Sequence, residues 1–325
     1  MRVTGKATAG GPVAADRLQH AVGFHSSPAH LLRQLVALAG DALARGEQVA
    51  LAVAPHTADA LRRELDHDGP GLHELTGGGR TGSGQTAAVA RARELRELTT
   101  GAGRVTVLAE HLRELDGPDG SFWTELDAAV NVTLADLPVA LTCFYPEMPL
   151  HLSILDGARC THPQLLVDGE LRHNPDHRRP VEALVRHPVA PPELLGVPEL
   201  HLRFQAWQLQ DVRRAVRLLA VGCGFDQDRT DDVVLAVNEV ATNAVEHGGA
   251  TSPESGAEMT AWIQPDALVC EVHDPGALAD PLPGLLAPHP SEPRGRGLWI
   301  ARQLCDLLHV WADDDGTHVR IRAAP

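Results

Sequence analysis

Val233, Val237, Val240 or Ala241, and Ala244 recur at helical spacing, so residues 235–249, LAVNEVATNAVEHGG, are expected to form a helix with a buried apolar stripe and its stop. Glu239, Asn243 and His247 follow one another at intervals of four and share a neighbouring face. Asp226 suits the N-cap, and Gly248 and Gly249 suit the C-terminal stop. An amphipathic helix over 207–221 precedes this one, with Leu209, Val212, Val216 and Leu219 inward, and a short strand over 199–204 comes before that. Downstream, residues 258–263 and 267–273 read as strands around the turn Gln264-Pro265-Asp266. The second run ends in Asp274-Pro275-Gly276. A Pro- and Gly-rich stretch then leads to Arg294-Gly295-Arg296-Gly297-Leu298, which opens a helix over 298–308. Strands over 308–312 and 317–323 close the chain.

The first half alternates differently. Ser26 or Ser27, with Pro28 behind it, opens a helix whose face is Leu31, Leu32, Leu35, Leu38 and Leu43. The apolar run 48–54 reads as a buried parallel strand, and a second helix over 57–66 starts at a Thr57 cap. Helices over 87–98, 122–134 and 149–159 then alternate with strands over 104–109, 139–145 and 164–168. That order predicts an α/β domain with a mostly parallel sheet. The Gly-rich run 76–86 precedes a helix but has no GK[ST] and no strong strand before it, so it is expected to be a loop without a nucleotide role. Residues 1–20 read as a flexible tail, and 176–197, studded with prolines, as a semi-rigid linker between domains spanning 21–175 and 198–325.

Composition narrows the function classes. The 325 residues suffice for two cores. A net charge of −15 argues against a nucleic-acid surface. Lys6 is the sole lysine, so phosphate contacts must come from arginine, backbone N–H groups or a metal. Five cysteines without CxxC spacing suggest reduced thiols in a cytoplasmic protein rather than a disulfide frame or a zinc site. The 18 histidines are scattered and read mostly as surface or satisfied core residues. No apolar run approaches the roughly 18 residues of a membrane span.

A carboxamide oxygen is a suitable hard ligand for Mg²⁺. A carboxylate one turn earlier can orient or deprotonate a nucleophile. The order Glu239-x3-Asn243, Asp274-x-Gly276, Gly295-x-Gly297 resembles the N, G1 and G2 boxes of the GHKL ATP-binding fold. That fold is α+β, an antiparallel or mixed sheet with helices on one face and ATP held between them. NEVATNAVEHGG looks most like the RsbA/RsbW-type anti-sigma regulators, which have serine-protein kinase activity. The resemblance implies Asn243 as Mg²⁺ ligand, Glu239 as catalytic base or water-orienting carboxylate and Asp274 as acceptor from the adenine amino group. It also implies Gly276 beside the ring, Gly295, Gly297 and Leu298 around the phosphates, Arg294 and Arg296 as their charge, and Thr317 near the adenine. His247 has the weakest claim, since a histidine at a helix C-terminus also complements the dipole.

In the first half, Gly23-Phe24-His25-Ser26-Ser27, the run Ala140 to Tyr145 with Cys143, Thr161-His162-Pro163 and Asn174 resemble the MEDS sensory domain, which has a RecA-like core. Either Cys143, Tyr145 and His162 line a ligand site or they merely pack. The two resemblances imply a regulator whose sensory domain, with a possible small-molecule signal, governs an ATP-binding domain. That domain would sequester a sigma factor and phosphorylate serine or threonine of a STAS-type antagonist, as a possible homodimer. The alternatives are an ATP-dependent binding module that only exchanges partners and, third, a sensor histidine kinase. None of the upstream histidines lies in a two-helix hairpin suited to the last.

Overall fold

The computed structural model describes residues 17–65, 71–76, 82–117, 119–148, 150–248, 256–289, 291 and 295–325. Of the expected tail 1–20, residues up to 16 lie outside the described residues, as do Arg294 and Gly249, whereas Gln19 and the buried His20 already belong to a strand.

The first unit is built from β1 (Gln19–His25), α1 (Pro28–Ala44), β2 (Gln48–Ala52), α2 (Pro55–Leu65), β3 (Leu72–Glu74), α3 (Gly84–Ala102), β4 (Val105–Glu110), α4 (Ser121–Thr133), β5 (Val139–Pro146), α5 (Leu152–Thr161), β6 (Gln164–Val167) and β7 (Glu170–His173). Its seven-stranded sheet has the order β3-β2-β4-β5-β1-β6-β7. Every pairing is parallel except the β6–β7 hairpin. The expected mostly parallel α/β domain is therefore present. Leu31, Leu35, Ala58 and Leu61 of α1 and α2 pack one face of the sheet against Val49, Leu51, Leu108 and Phe144. α3 and α4 cover the other face, where Val22, Val107, Leu141 and Tyr145 are buried. Alternate residues of one strand thus feed two cores.

Several local details differ from expectation. Ser27 is the α1 N-cap and accepts from the His30 N–H. Thr57 is not a cap but sits buried inside α2. Only the three-residue β3, paired with β2, precedes the Gly-rich run, whose residues 77–81 lie outside the described residues and whose last three belong to α3. α3 is longer than predicted because Ser83 caps it by accepting from the Thr86 N–H. The Glu125 carboxylate of α4 accepts from Gly84 N–H (2.8 Å), Gln85 N–H (3.3 Å) and Ser83 Oγ (3.2 Å). An internal anion therefore occupies the place a phosphate would take at this helix N-terminus.

Within the Pro-rich segment 176–197 the chain forms α6 (Pro180–Arg186), with Ala183 and Leu184 buried. It then runs across the second unit. Ala190 O accepts from His309 Nε2 (2.9 Å), Glu193 O from Arg320 (2.8 Å) and Gly196 O from Trp262 Nε1 (3.1 Å).

The second unit comprises β8 (Leu200–Phe204), α7 (Leu209–Gly222), α8 (Gln227–His247), β9 (Ala257–Gln264), β10 (Ala267–Asp274), α9 (Gly297–Leu304), β11 (Leu307–Asp313) and β12 (Gly316–Ala323). Its five strands are antiparallel in the order β11-β12-β10-β9-β8. Helices cover one face, as the GHKL arrangement requires. The stripe Val233, Val237, Val240, Ala241 and Ala244 is buried against Met259, Leu268, Cys270, Val272 and Ile321. Asp226 caps α8, accepting from the Arg229 N–H at 2.8 Å, a contact worth about 1 kcal/mol. The last helix is shorter than predicted. α9 stops at Leu304, and residues 307 and 308 already belong to β11. No helix is long and apolar enough to cross a membrane among the described residues.

Candidate functional site

α8 enters the site with Glu239 and Asn243 half-buried on the face next to its apolar stripe, and with His247 exposed at its end. Their shared face follows from the i, i+4 spacing. α9 docks on α8 so that its first residue, Gly297, lies over these two side chains. A Cβ built there would stand 2.9 Å from Glu239 Oε2, 3.3 Å from Asn243 Nδ2 and 3.5 Å from Asn243 Oδ1. Gly295, at φ +86°, and Arg296, the exposed N-cap of α9, precede it, and Leu298 packs into the second core. The start of α9, whose first backbone N–H groups have no intrahelical partner, therefore lies beside the carboxylate and carboxamide of α8, an arrangement suited to phosphate and a hard cation.

The other end of the site is the C-terminus of β10. Asp274 pairs in register with Thr317 of β12. Its Oδ1 accepts from the Gly276 N–H at 2.8 Å, and Thr317 Oγ1 donates to the Gly276 carbonyl at 2.7 Å. A Cβ on Gly276 would meet Gly248 Cα at 2.9 Å and the His247 carbonyl at 3.0 Å, so only glycine lets this turn close on the end of α8. Burial pushes the Asp274 carboxyl above its usual range. The Gly276 N–H and the neighbouring His273, His318 and His247 act in the opposite direction. One acceptor oxygen beside a tight glycine turn is what recognition of an exocyclic amine needs. The structure thus gathers Glu239, Asn243 and Gly297 at one end and Asp274, Gly276 and Thr317 at the other. It does not direct the His247 side chain into either set of hydrogen bonds.

Sequence reasoning missed how the segment between Gly276 and Gly297 is held. Leu282 and Leu285 insert into the core of the first unit, together with Trp311. Gln85 Nε2 donates to the Pro281 carbonyl (2.9 Å), and the buried Arg302 of α9 donates to the Pro283 carbonyl (3.0 Å) and to Gln85 Oε1. Thr86 Oγ1 donates to the Leu308 carbonyl at 3.1 Å. Burial lowers the Arg302 guanidinium to about 10, against the Glu125 charge, which raises it. The apolar pair Leu285-Leu286 inside a polar loop was the available signal. Between the units, bounded by Ala190, Glu193, Glu125 and Arg320, lies a cleft of about 540 Å³.

Residues 203–323 match the model of the histidine kinase-like ATPase domain. Residues 19–163 match the model of MEDS, the MEthanogen/methylotroph, DcmR Sensory domain. No curated protein matches the chain. A sensory-type segment joined to an ATPase-type segment supports a regulatory ATP-binding protein.

Proposed function

We infer that this chain is an anti-sigma-type regulator whose second unit binds Mg-ATP and transfers its γ-phosphoryl group to a serine or threonine of an antagonist protein. The observation that carries the reading is the approach of Gly297 to both Glu239 and Asn243, at the far end of the site from the Asp274–Gly276–Thr317 turn. Asn243 Oδ1 would hold Mg²⁺, whose charge offsets that of the phosphates. The donor set fits this ion, because a carboxamide oxygen and a carboxylate converge where a Cβ would intrude. Glu239 accepts the proton of the acceptor hydroxyl as its oxygen bonds to phosphorus, and ADP leaves. Backbone N–H groups at the start of α9 orient the phosphates. Asp274 accepts from the adenine amino group, and Thr317 keeps the Gly276 turn closed.

Regulation follows from the contacts of Gln85 and Arg302. The loop that would close over ATP and the helix that starts at Gly297 are both anchored on the first unit. A signal that moves α3 therefore reaches the nucleotide directly. The same anchoring favours a second reading, in which the domain binds ATP and exchanges partners without transfer.

The test is calorimetry of Mg-ATP on the full chain, followed by transfer of labelled phosphate to a STAS-type antagonist. Loss of binding in Asn243→Ala, and loss of transfer with binding retained in Glu239→Gln, support the kinase reading. Binding without transfer in the wild type leaves partner exchange, and a folded chain that binds no nucleotide overturns both.

A further inference from the structure

Inside the first unit, four side chains that could each offer one metal ligand converge from four elements. They are His20 of β1, Asp127 of α4, Cys143 of β5 and His162, which directly follows α5. All are buried, His162 completely. Their ligand atoms lie within 4.8 Å of one another. His20 Nε2 is 3.5 Å from Cys143 Sγ, Cys143 Sγ is 3.8 Å from Asp127 Oδ1, and His162 Nε2 is 3.7 Å from the other carboxylate oxygen, Asp127 Oδ2, which Tyr145 also holds. Tetrahedral zinc with bonds of about 2.0 to 2.3 Å has ligand–ligand edges of about 3.3 to 3.8 Å.

The surrounding hydrogen bonds fix what these atoms present. Asn131 Nδ2 donates to the carbonyls of Asp127 (3.0 Å) and Thr161 (2.7 Å). That assigns its amide and leaves Oδ1, 3.0 Å from His20 Nδ1, as an acceptor. His20 therefore carries its proton on Nδ1 and turns a bare Nε2 lone pair inward. His162 Nδ1 lies 2.6 Å from the Ala158 carbonyl, which can only accept, so its Nε2 is bare as well. That buried Nε2 has no hydrogen-bond partner. The two rings, 4.0 Å apart between centroids, could not both carry a charge there. Tyr145 Oη donates to Asp127 Oδ2 at 2.6 Å and leaves Oδ1 toward the cysteine. His20, Asp127 and His162 are thus each held from behind, and such a second layer is characteristic of metal centres.

We propose that His20, Asp127, Cys143 and His162 bind a divalent cation of the zinc class in a closed tetrahedral site. One thiolate, one carboxylate and two neutral imidazoles balance its charge, the condition for burial away from water. Binding releases the Cys143 thiol proton to solvent and involves no redox change. Four protein ligands leave no position for an activated water, so the ion ties β1, α4, β5 and the end of α5 together rather than catalysing hydrolysis. This places a metal-dependent brace in the unit that anchors the nucleotide loop, and it does not depend on the kinase reading.

The experiment uses the untagged full chain. Metal content after zinc loading and desalting is measured, then X-ray absorption at the zinc edge and the optical spectrum of the cobalt-loaded protein. The expected result is one ion per chain, a first shell containing one sulfur, and tetrahedral cobalt bands with a thiolate-to-cobalt charge-transfer band. Cys143→Ser should remove that band and weaken binding by at least about tenfold, and His162→Gln should weaken it while the far-ultraviolet spectrum stays native. If either variant fails to fold, the wild-type absorption spectrum decides by its sulfur and nitrogen shell. A folded wild-type chain that retains no metal, a first shell without sulfur, or a cobalt spectrum unchanged by Cys143→Ser overturns the proposal.

Discussion

Gly297 sits on Glu239: a side-chain carbon at position 297 would stand 2.9 Å from the Glu239 carboxylate. The contact joins the first residue of α9 to the middle of α8 and leaves a space that only a glycine keeps open. Gly297→Ala should leave the thermal midpoint nearly unchanged, since the obstructing atoms belong to a flexible side chain and alanine suits a first helical turn. Nucleotide affinity should fall by about tenfold or more, corresponding to roughly 1.4 kcal/mol. Calorimetry beside a melting curve checks both, and an unaltered affinity would remove the phosphates from this end of α9.

Asp274 is the chain's candidate reader of the base. Asp274→Asn keeps an oxygen for the Gly276 N–H but removes the charge. It should cost about 10-fold or more in ATP affinity, the scale of a hydrogen bond to a charged group. It should also erase any preference for ATP over GTP. Competition between the two nucleotides measures this, and an unchanged preference would relocate base recognition. Thr317→Val, which frees the Gly276 carbonyl, should weaken both nucleotides alike.

Gln85 couples the two units. Gln85→Ala deprives the buried Arg302 guanidinium of one acceptor and the Pro281 carbonyl of its donor. A stability loss of about 1 to 3 kcal/mol follows from leaving such groups unpaired. Hydrogen exchange should accelerate around residues 281–285 and at the start of α9. Exchange confined to α3 would show that the loop does not depend on this anchor.

His318 gives the second unit a pH dependence. Burial alone would lower its imidazole, but Glu271 and Asp313 outweigh burial and hold it above the usual value, with His273 stacked on it and Arg320 sharing Glu271. The folded state binds the proton more tightly than the unfolded one. The stabilisation is fully present below about pH 6.5, the unperturbed imidazole value, and is lost as pH rises through the raised folded value. Denaturation midpoints of wild type and His318→Gln should differ most at acidic pH and converge at alkaline pH. A gap that widens with pH would contradict the assignment.

Local pattern made much of this legible. The α8 stripe, its Asp226 cap and the alternating strands read directly because each depends on neighbours in sequence. The Glu239–Asn243 spacing did too, since a helix turns four residues into contact. What stayed hidden depends on partners far along the chain. The Glu125 carboxylate that fills the N-terminus of α3 comes from another helix. The short β3 and β7 take their order from the strands beside them. His20, Asp127, Cys143 and His162 are far apart in sequence, where cysteine spacing carries no signal, and the β1–β5 pairing with α4 and α5 packed on the sheet brings them together. α9 ended early because residues 307 and 308 pair with β12.

The insertion of Leu282, Leu285 and Trp311 into the first unit's core bears on how this protein can be divided. A fragment carrying only the ATPase-like half would present those three side chains to water as one sticky surface, with Arg302 stripped of Gln85. Such a truncation would self-associate before its nucleotide chemistry could be judged. The two halves thus share one core, and recombining this ATPase-like half with a different sensor would require a new surface to receive its loop.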